Sequence, residues 1–174
     1  MFSATPGRTK REYHSIDTGN ARPIRAQPYQ GSPQAKTAID REIQDMLKMG
    51  AIRPPNSAWA SPVVLVSKPD GEIHFCVDYC KLNAVTHPDN YPMPHRDELL
   101  EKLGRAQFIS TLDLTKGYWQ VPLDESAKER SAFIIHVGLY EFNVFPFGAK
   151  CTRHLPEACR LSPIRIGRIC SRLP

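Results

Sequence analysis

The 174-residue sequence contains no apolar run of membrane-spanning length, and its opening MFSATPGRTKREYH lacks the apolar stretch of a secretory signal. The expectation is a soluble, intracellular chain with no membrane partner. A paired set of cysteines is also missing, since the five present are an odd number and argue against a disulfide framework. Cys76 and Cys80, four residues apart on an expected strand, would share one face. No second pair stands at metal-ligand spacing, so buried reduced thiols are the better reading. No internal repeat is visible. Most of the chain also lacks an excess of either charge. The net charge is +5, but the last 24 residues hold five arginines and one glutamate, leaving 18 basic against 17 acidic side chains before them. Charge alone therefore does not point to a nucleic-acid partner.

What is present is a grammar of turns and apolar runs as far as Lys150. Residues 1–31, rich in Pro, Gly, Arg and Thr, read as an extended leader or linker. Ser32 and Pro33 form an N-cap and first-turn pair. Ala35, Ile39, Ile43 and Leu47 then repeat at helical spacing until Gly50 stops the helix. SPVVLVSKPDGEIHFCVDY predicts strand, turn and strand, with Asp70-Gly71 as the hairpin signal. A second helix is expected from about Pro94 to Leu103, ended by Gly104. AQFISTLDL predicts a strand, and RSAFIIHV and YEFNVFPFG predict two more around a Gly138 turn.

Chemistry concentrates in FISTLDLTKGYWQ. Asp113 sits between Leu112 and Leu114, where a lone carboxylate is costly without compensation. It reads as a strand-end aspartate capping the next turn, or as a ligand for a hard cation such as Mg²⁺ held together with substrate phosphates. Tyr118 follows a glycine turn five residues later; Tyr118 and Trp119 read as core aromatics or as a substrate platform. Spacing does not decide between these.

The stretches TPGRT, IDTGNARPIRAQPY, MGAIRPPNSAWASPVVLVSKPDGEIHFCVDYCKLNAVT, YPMPHRDELLEKL, FISTLDLTKGYWQVPL, AFIIHVGLYEF and FPFGAK resemble, in order and spacing, the reverse transcriptases of gypsy-type long-terminal-repeat retrotransposons. The resemblance covers about residues 2–150. It implies an α+β right-hand polymerase fold, with residues 32–150 as fingers and partial palm. It implies RNA or DNA primer–template and dNTP as partners, and Mg²⁺ as cofactor. By matching position, Asp113 would be the catalytic, metal-holding aspartate, the first of three. Lys68 would contact the triphosphate as a point charge. Tyr118 would be the gate that packs on deoxyribose and clashes with a 2′-hydroxyl. Phe147 and Gly148 would form the turn beside the nucleotide pocket.

The sequence departs from the family pattern in three places. His74 and Cys80 stand where arginines are expected, and neither replaces a guanidinium that stacks on a base or forks onto phosphate. Single C-to-T changes on one strand or the other convert arginine codons beginning CG to His or Cys codons, the pattern of an element copy in decay. After Lys150 the grammar stops. Written back into codons and read one base over, KCTRHLPEACR becomes NAPATFQRLV, which the family places after its PFG turn. Residues 151–174 are thus expected to be a frameshifted, disordered tail. The polymerase is expected to be truncated before the Tyr-x-Asp-Asp hairpin, lacking two of three catalytic aspartates. The sequence thus predicts an inactive polymerase fragment prone to self-association through the Asp113 strand. The alternative is a non-catalytic nucleic-acid-binding remnant or a product without function.

Overall fold

A computed structural model of the chain describes residues 7–10, 13–55, 57–67, 73–88, 97, 101, 104 and 117–150. Of the expected helix near 94–103 only Asp97 and Glu101 are described, both helical, as is Gly104, the residue expected to end it. The Asp113 strand, the Asp70-Gly71 turn and the tail after Lys150 lie outside the described residues.

Helix α1 runs Pro33–Lys48. The Ser32 hydroxyl accepts the Ala35 N–H at 3.2 Å, and Pro33 occupies a first-turn position where no N–H is needed. At the other end Gly50 takes φ 64°. Its N–H donates to Leu47 O at 2.9 Å while Ala51 N–H donates to Met46 O at 2.9 Å, a Schellman closure. Arg8 adds a guanidinium donor to Met49 O at 3.1 Å and Gly50 O at 2.6 Å, satisfying two more terminal carbonyls. The buried stripe is Ile43 and Met46, with Ile39 half-buried, whereas Leu47 is exposed. Eleven residues after Ala35 close three turns at 3.6 per turn, and twelve overshoot them, so Met46 faces inward instead of Leu47.

Five strands form one sheet in the order β1-β5-β4-β2-β3: β1 Ile52–Arg53, β2 Ser61–Ser67, β3 Ile73–Val77, β4 Phe133–Ile135 and β5 Gly138–Phe142. β2 and β3 are the expected hairpin, antiparallel from Val63 opposite Val77 to Ser67 opposite Ile73. β4 and β5 are the second expected pair, with Ile135 opposite Gly138. The β2–β4 pairing is parallel, Ser61 facing Phe133. Phe133 is fully buried and touches Phe75 (5.7 Å), Tyr140 (6.0 Å) and Phe142 (5.0 Å) ring to ring. Where β1 meets β5, Arg53 lies opposite Glu141. The buried Glu141 carboxylate accepts Arg53 Nε at 2.5 Å, and the same guanidinium reaches Glu125 at 2.8 Å. These two carboxylates push the already high pKa of Arg53 further up, chiefly through their hydrogen bonds.

Three short elements are not foreseen from the sequence: helix α2 Cys80–Val85, a 3-10 turn Gly117–Gln120, and helix α3 Glu125–Arg130. Cys76 and Cys80 consequently do not share a strand. Cys76 is half-buried in β3, and Cys80 opens α2 in solvent, so the reading of both as buried thiols fails at Cys80. The described part of the leader is extended yet docked. His14, Ile16 and Thr18 are buried, His14 bridges Leu123, and Arg25 bridges Ala60.

Candidate functional site

The 3-10 turn holds Tyr118 at the surface, and the chain after β5 returns beside it. The buried Phe145 ring lies 5.9 Å from Tyr118 and forms a floor. Phe147, 66 % exposed, meets Tyr118 edge to face at 5.8 Å and 80°. Two large aromatic rings thus stand partly in solvent over a third that is buried. Aromatic faces so arranged suit a flat or sugar-like ligand, because they offer apolar area at little cost in conformational entropy.

Gly148 follows with φ 91°, a conformation that side chains disfavour. Space is not the constraint, since an added Cβ would meet Val77 O at 3.6 Å, ordinary contact. The turn is fixed by Asn83 of α2. Its amide nitrogen donates to Gly148 O at 2.9 Å, and its amide oxygen accepts the Lys150 N–H at 2.8 Å. Lys150 Nζ then donates to Thr86 O at 3.3 Å, setting a cation on the carbonyl end of α2.

The other end of α2 is organised by Asp78. Its carboxylate accepts the Cys80 N–H at 3.0 Å and the Tyr29 hydroxyl at 3.3 Å. The Cys80 thiol, the Cys80 N–H, Tyr29 and the charge of Lys81 together hold Asp78 below the usual carboxylate range. In return the carboxylate pushes the Cys80 thiol and the Tyr29 hydroxyl up. Between these groups Tyr79 is buried, and burial raises its hydroxyl pKa well above 10.0. It donates to Ser131 O at 2.7 Å. Ser131 Oγ accepts the Phe142 N–H at 3.0 Å, so the β3–α2 junction is tied to β5.

Of the residues singled out from sequence, Tyr118, Phe147 and Gly148 come together here, and Cys80 begins the helix that clamps them. Lys68 and Asp113 lie outside the described residues, and of His74 only the backbone is described, paired in β3 with Val66. Asn83 and Tyr79 were missed, although both stand inside the motif VDYCKLN. Among the described residues, no group of three or more His, Cys, Asp or Glu side chains is arranged to hold a metal ion, and no helix is long and apolar enough to cross a membrane.

The family model described as reverse transcriptase (RNA-dependent DNA polymerase) matches residues 66–158, eight positions into the stretch after Lys150. The retrovirus-related Pol polyprotein from transposon 297 of Drosophila melanogaster is 37 % identical over 142 residues, covering 79 % of this chain and 13 % of that protein. The corresponding protein from transposon gypsy of the same organism is 34 % identical over 164 residues, 90 % of this chain and 16 % of that protein. Among solved structures, the native prototype foamy virus protease-reverse transcriptase superposes with a TM-score of 0.75 at 28 % identity, covering 92 % of this chain and 22 % of that one. The foamy viral enzyme in complex with RNA/DNA hybrid superposes at 0.68 with 25 % identity, over 85 % and 20 %. The chain therefore spans less than a quarter of the length of these relatives.

Proposed function

The chain belongs to the reverse transcriptases of gypsy-type elements, with the α+β polymerase fold of that family, and from that premise we propose that it carries the nucleotide-selecting part of an RNA-directed DNA polymerase. Residues 32–150 act as fingers and partial palm, and primer–template and dNTP are the ligands. One observation supports this reading most. The exposed Tyr118–Phe147 ring pair stands over a glycine turn that Asn83 holds rigid. In the proposed site Tyr118 packs on deoxyribose and excludes a 2′-hydroxyl. Lys68 meets the triphosphate. Asp113 offers a hard carboxylate oxygen to Mg²⁺, whose chemistry is to neutralise charge on the transferred phosphoryl group. His74 and Cys80 are the weak contacts, since neutral side chains stand where a guanidinium would bind phosphate. We also propose that residues 151–174 are read one base out of register, which sequencing the DNA across codon 150 tests.

The functional test is a chain whose frame is restored after Lys150 and joined to the downstream polymerase segment of the transposon 297 relative. It should incorporate dNTP on a primer–template and lose incorporation in Asp113→Asn. Activity should rise when His74 and Cys80 are both changed to Arg. Salt-dependent primer–template binding without any incorporation would instead favour the non-catalytic binding remnant.

A further inference from the structure

We infer that the docked leader, residues 7–10 and 13–19, is a positioning element for the Tyr118 ring, with His14 as its key side chain. The 3-10 turn that carries Tyr118 buries none of its own residues and cannot hold the ring by itself. Its stability comes from the segment that follows, where Val121 and Leu123 are buried. That segment is held on both sides by isolated bridges, Pro122 to Val144 and Leu123 to His14. On one side Phe145 N–H donates to Val121 O at 2.8 Å, and Leu123 N–H donates to Asn143 O at 3.0 Å. On the other side stands the leader. Thr9 N–H donates to Gln120 O at 2.8 Å and His14 N–H to Pro122 O at 2.9 Å, while His14 O accepts the Asp124 N–H at 3.1 Å.

The side chains repeat this linkage. The buried His14 ring meets Phe145 edge to face at 4.5 Å and 76°, and Phe145 in turn carries Tyr118. A continuous aromatic column, His14–Phe145–Tyr118–Phe147, therefore runs from the leader to the exposed pair. The leader is also anchored beyond this segment. His87, just past α2, donates its N–H to Asp17 O at 2.8 Å, and Arg130 of α3 donates to Thr18 Oγ1 at 3.0 Å. Thr9 grips the last residue of the turn and His14 grips the floor under the ring. Loosening either frees Tyr118 to leave its tilted seat on Phe145, and a gate that moves selects poorly. The effect on sugar selection rests on the function proposed above; the positioning itself does not.

The test uses the 174-residue chain labelled with 3-fluorotyrosine, with the Tyr118 line in the fluorine NMR spectrum assigned by Tyr118→Phe. In His14→Ala the line should move most of the way to the position of free fluorotyrosine while the chain is still folded. His14→Phe, which keeps an edge on Phe145, should restore it. Thr9→Pro removes one N–H from the half-buried strap without touching the buried core, and should shift the line in the same direction. If His14 only added stability, His14→Ala would melt earlier with the native Tyr118 line intact, which would overturn the inference. A line unmoved by Thr9→Pro, or displaced as far by His14→Phe as by His14→Ala, would overturn it too. The measurement needs no turnover, so it stands or falls apart from the polymerase reading.

Discussion

Asn83 commits both ends of its amide to one turn, and no other polar side chain described near Gly148 does the same. Asn83→Ala should cost about 0.5–1.5 kcal/mol, the usual net value of a hydrogen bond whose partners, here on the exposed Gly148 and Lys150, can turn to water instead. Amide exchange at Lys150 should accelerate beyond the change at distant sites, and equal acceleration throughout would argue against a local clamp. Asp78 lends itself to a test by pH. Its carboxyl is held down, first by the Cys80 thiol, so the stability it adds is present above its unfolded pKa and disappears as pH falls through the lower folded value. The thiol moves the opposite way, because a neighbouring carboxylate disfavours thiolate. Alkylation of Cys80 at pH 8, followed peptide by peptide, should therefore be slow and should speed up in Asp78→Asn. An unchanged rate would mean that the pair does not persist in solution.

The elements differ in how legible they were, and the differences have physical causes. Helix α1 was readable because every signal agreed: Ser32 cap, Pro33, an apolar stripe and a glycine stop. Only its final register slipped, since Leu47 and Met46 are both apolar and the pattern could not rank them. The β2–β3 hairpin was readable from its apolar runs and Asp-Gly turn signal. Which valines face inward was not, because Val63, Val64 and Val66 are alike in chemistry yet Val63 is buried and the other two are exposed. Helices α2 and α3 have six residues each and bury one side chain apiece, Leu82 and Ala127, too few to set a period. The docking of the extended leader was not legible, because the backbone hydrogen bonds that contribute to it leave no compositional trace. Within the site, resemblance identified Tyr118, Phe147 and Gly148, while Asn83 was hidden because its role exists only once α2 meets the turn. The cap of α1 gives the test at this scale. Ser32→Ala should lower stability by about 1 kcal/mol, seen as a lower urea midpoint at unchanged slope, and a changed slope would mean that more than the cap was lost.

Across the molecule, one core joins the ring site to the sheet. Phe133 lies at its centre among Phe75, Tyr140 and Phe142, and Tyr79 and Ser131 link that centre to the α2 clamp. Phe133→Ala should cost about 3–5 kcal/mol through lost burial and the cavity left behind, checked by thermal or denaturant unfolding. A loss below about 1 kcal/mol would show that the sheet is not packed as described. Such a core keeps the site's parts in register, so a change at the Tyr118 ring should alter selection without unfolding the chain. The central claim is that Tyr118 is the sugar gate. It is tested most directly by Tyr118→Val in the frame-restored enzyme, measuring incorporation of each ribonucleotide against its deoxyribonucleotide. The account predicts that the ribo-to-deoxy ratio rises about tenfold or more, equivalent to at least ~1.4 kcal/mol of lost discrimination, with deoxyribonucleotide incorporation retained; an unchanged ratio would contradict it.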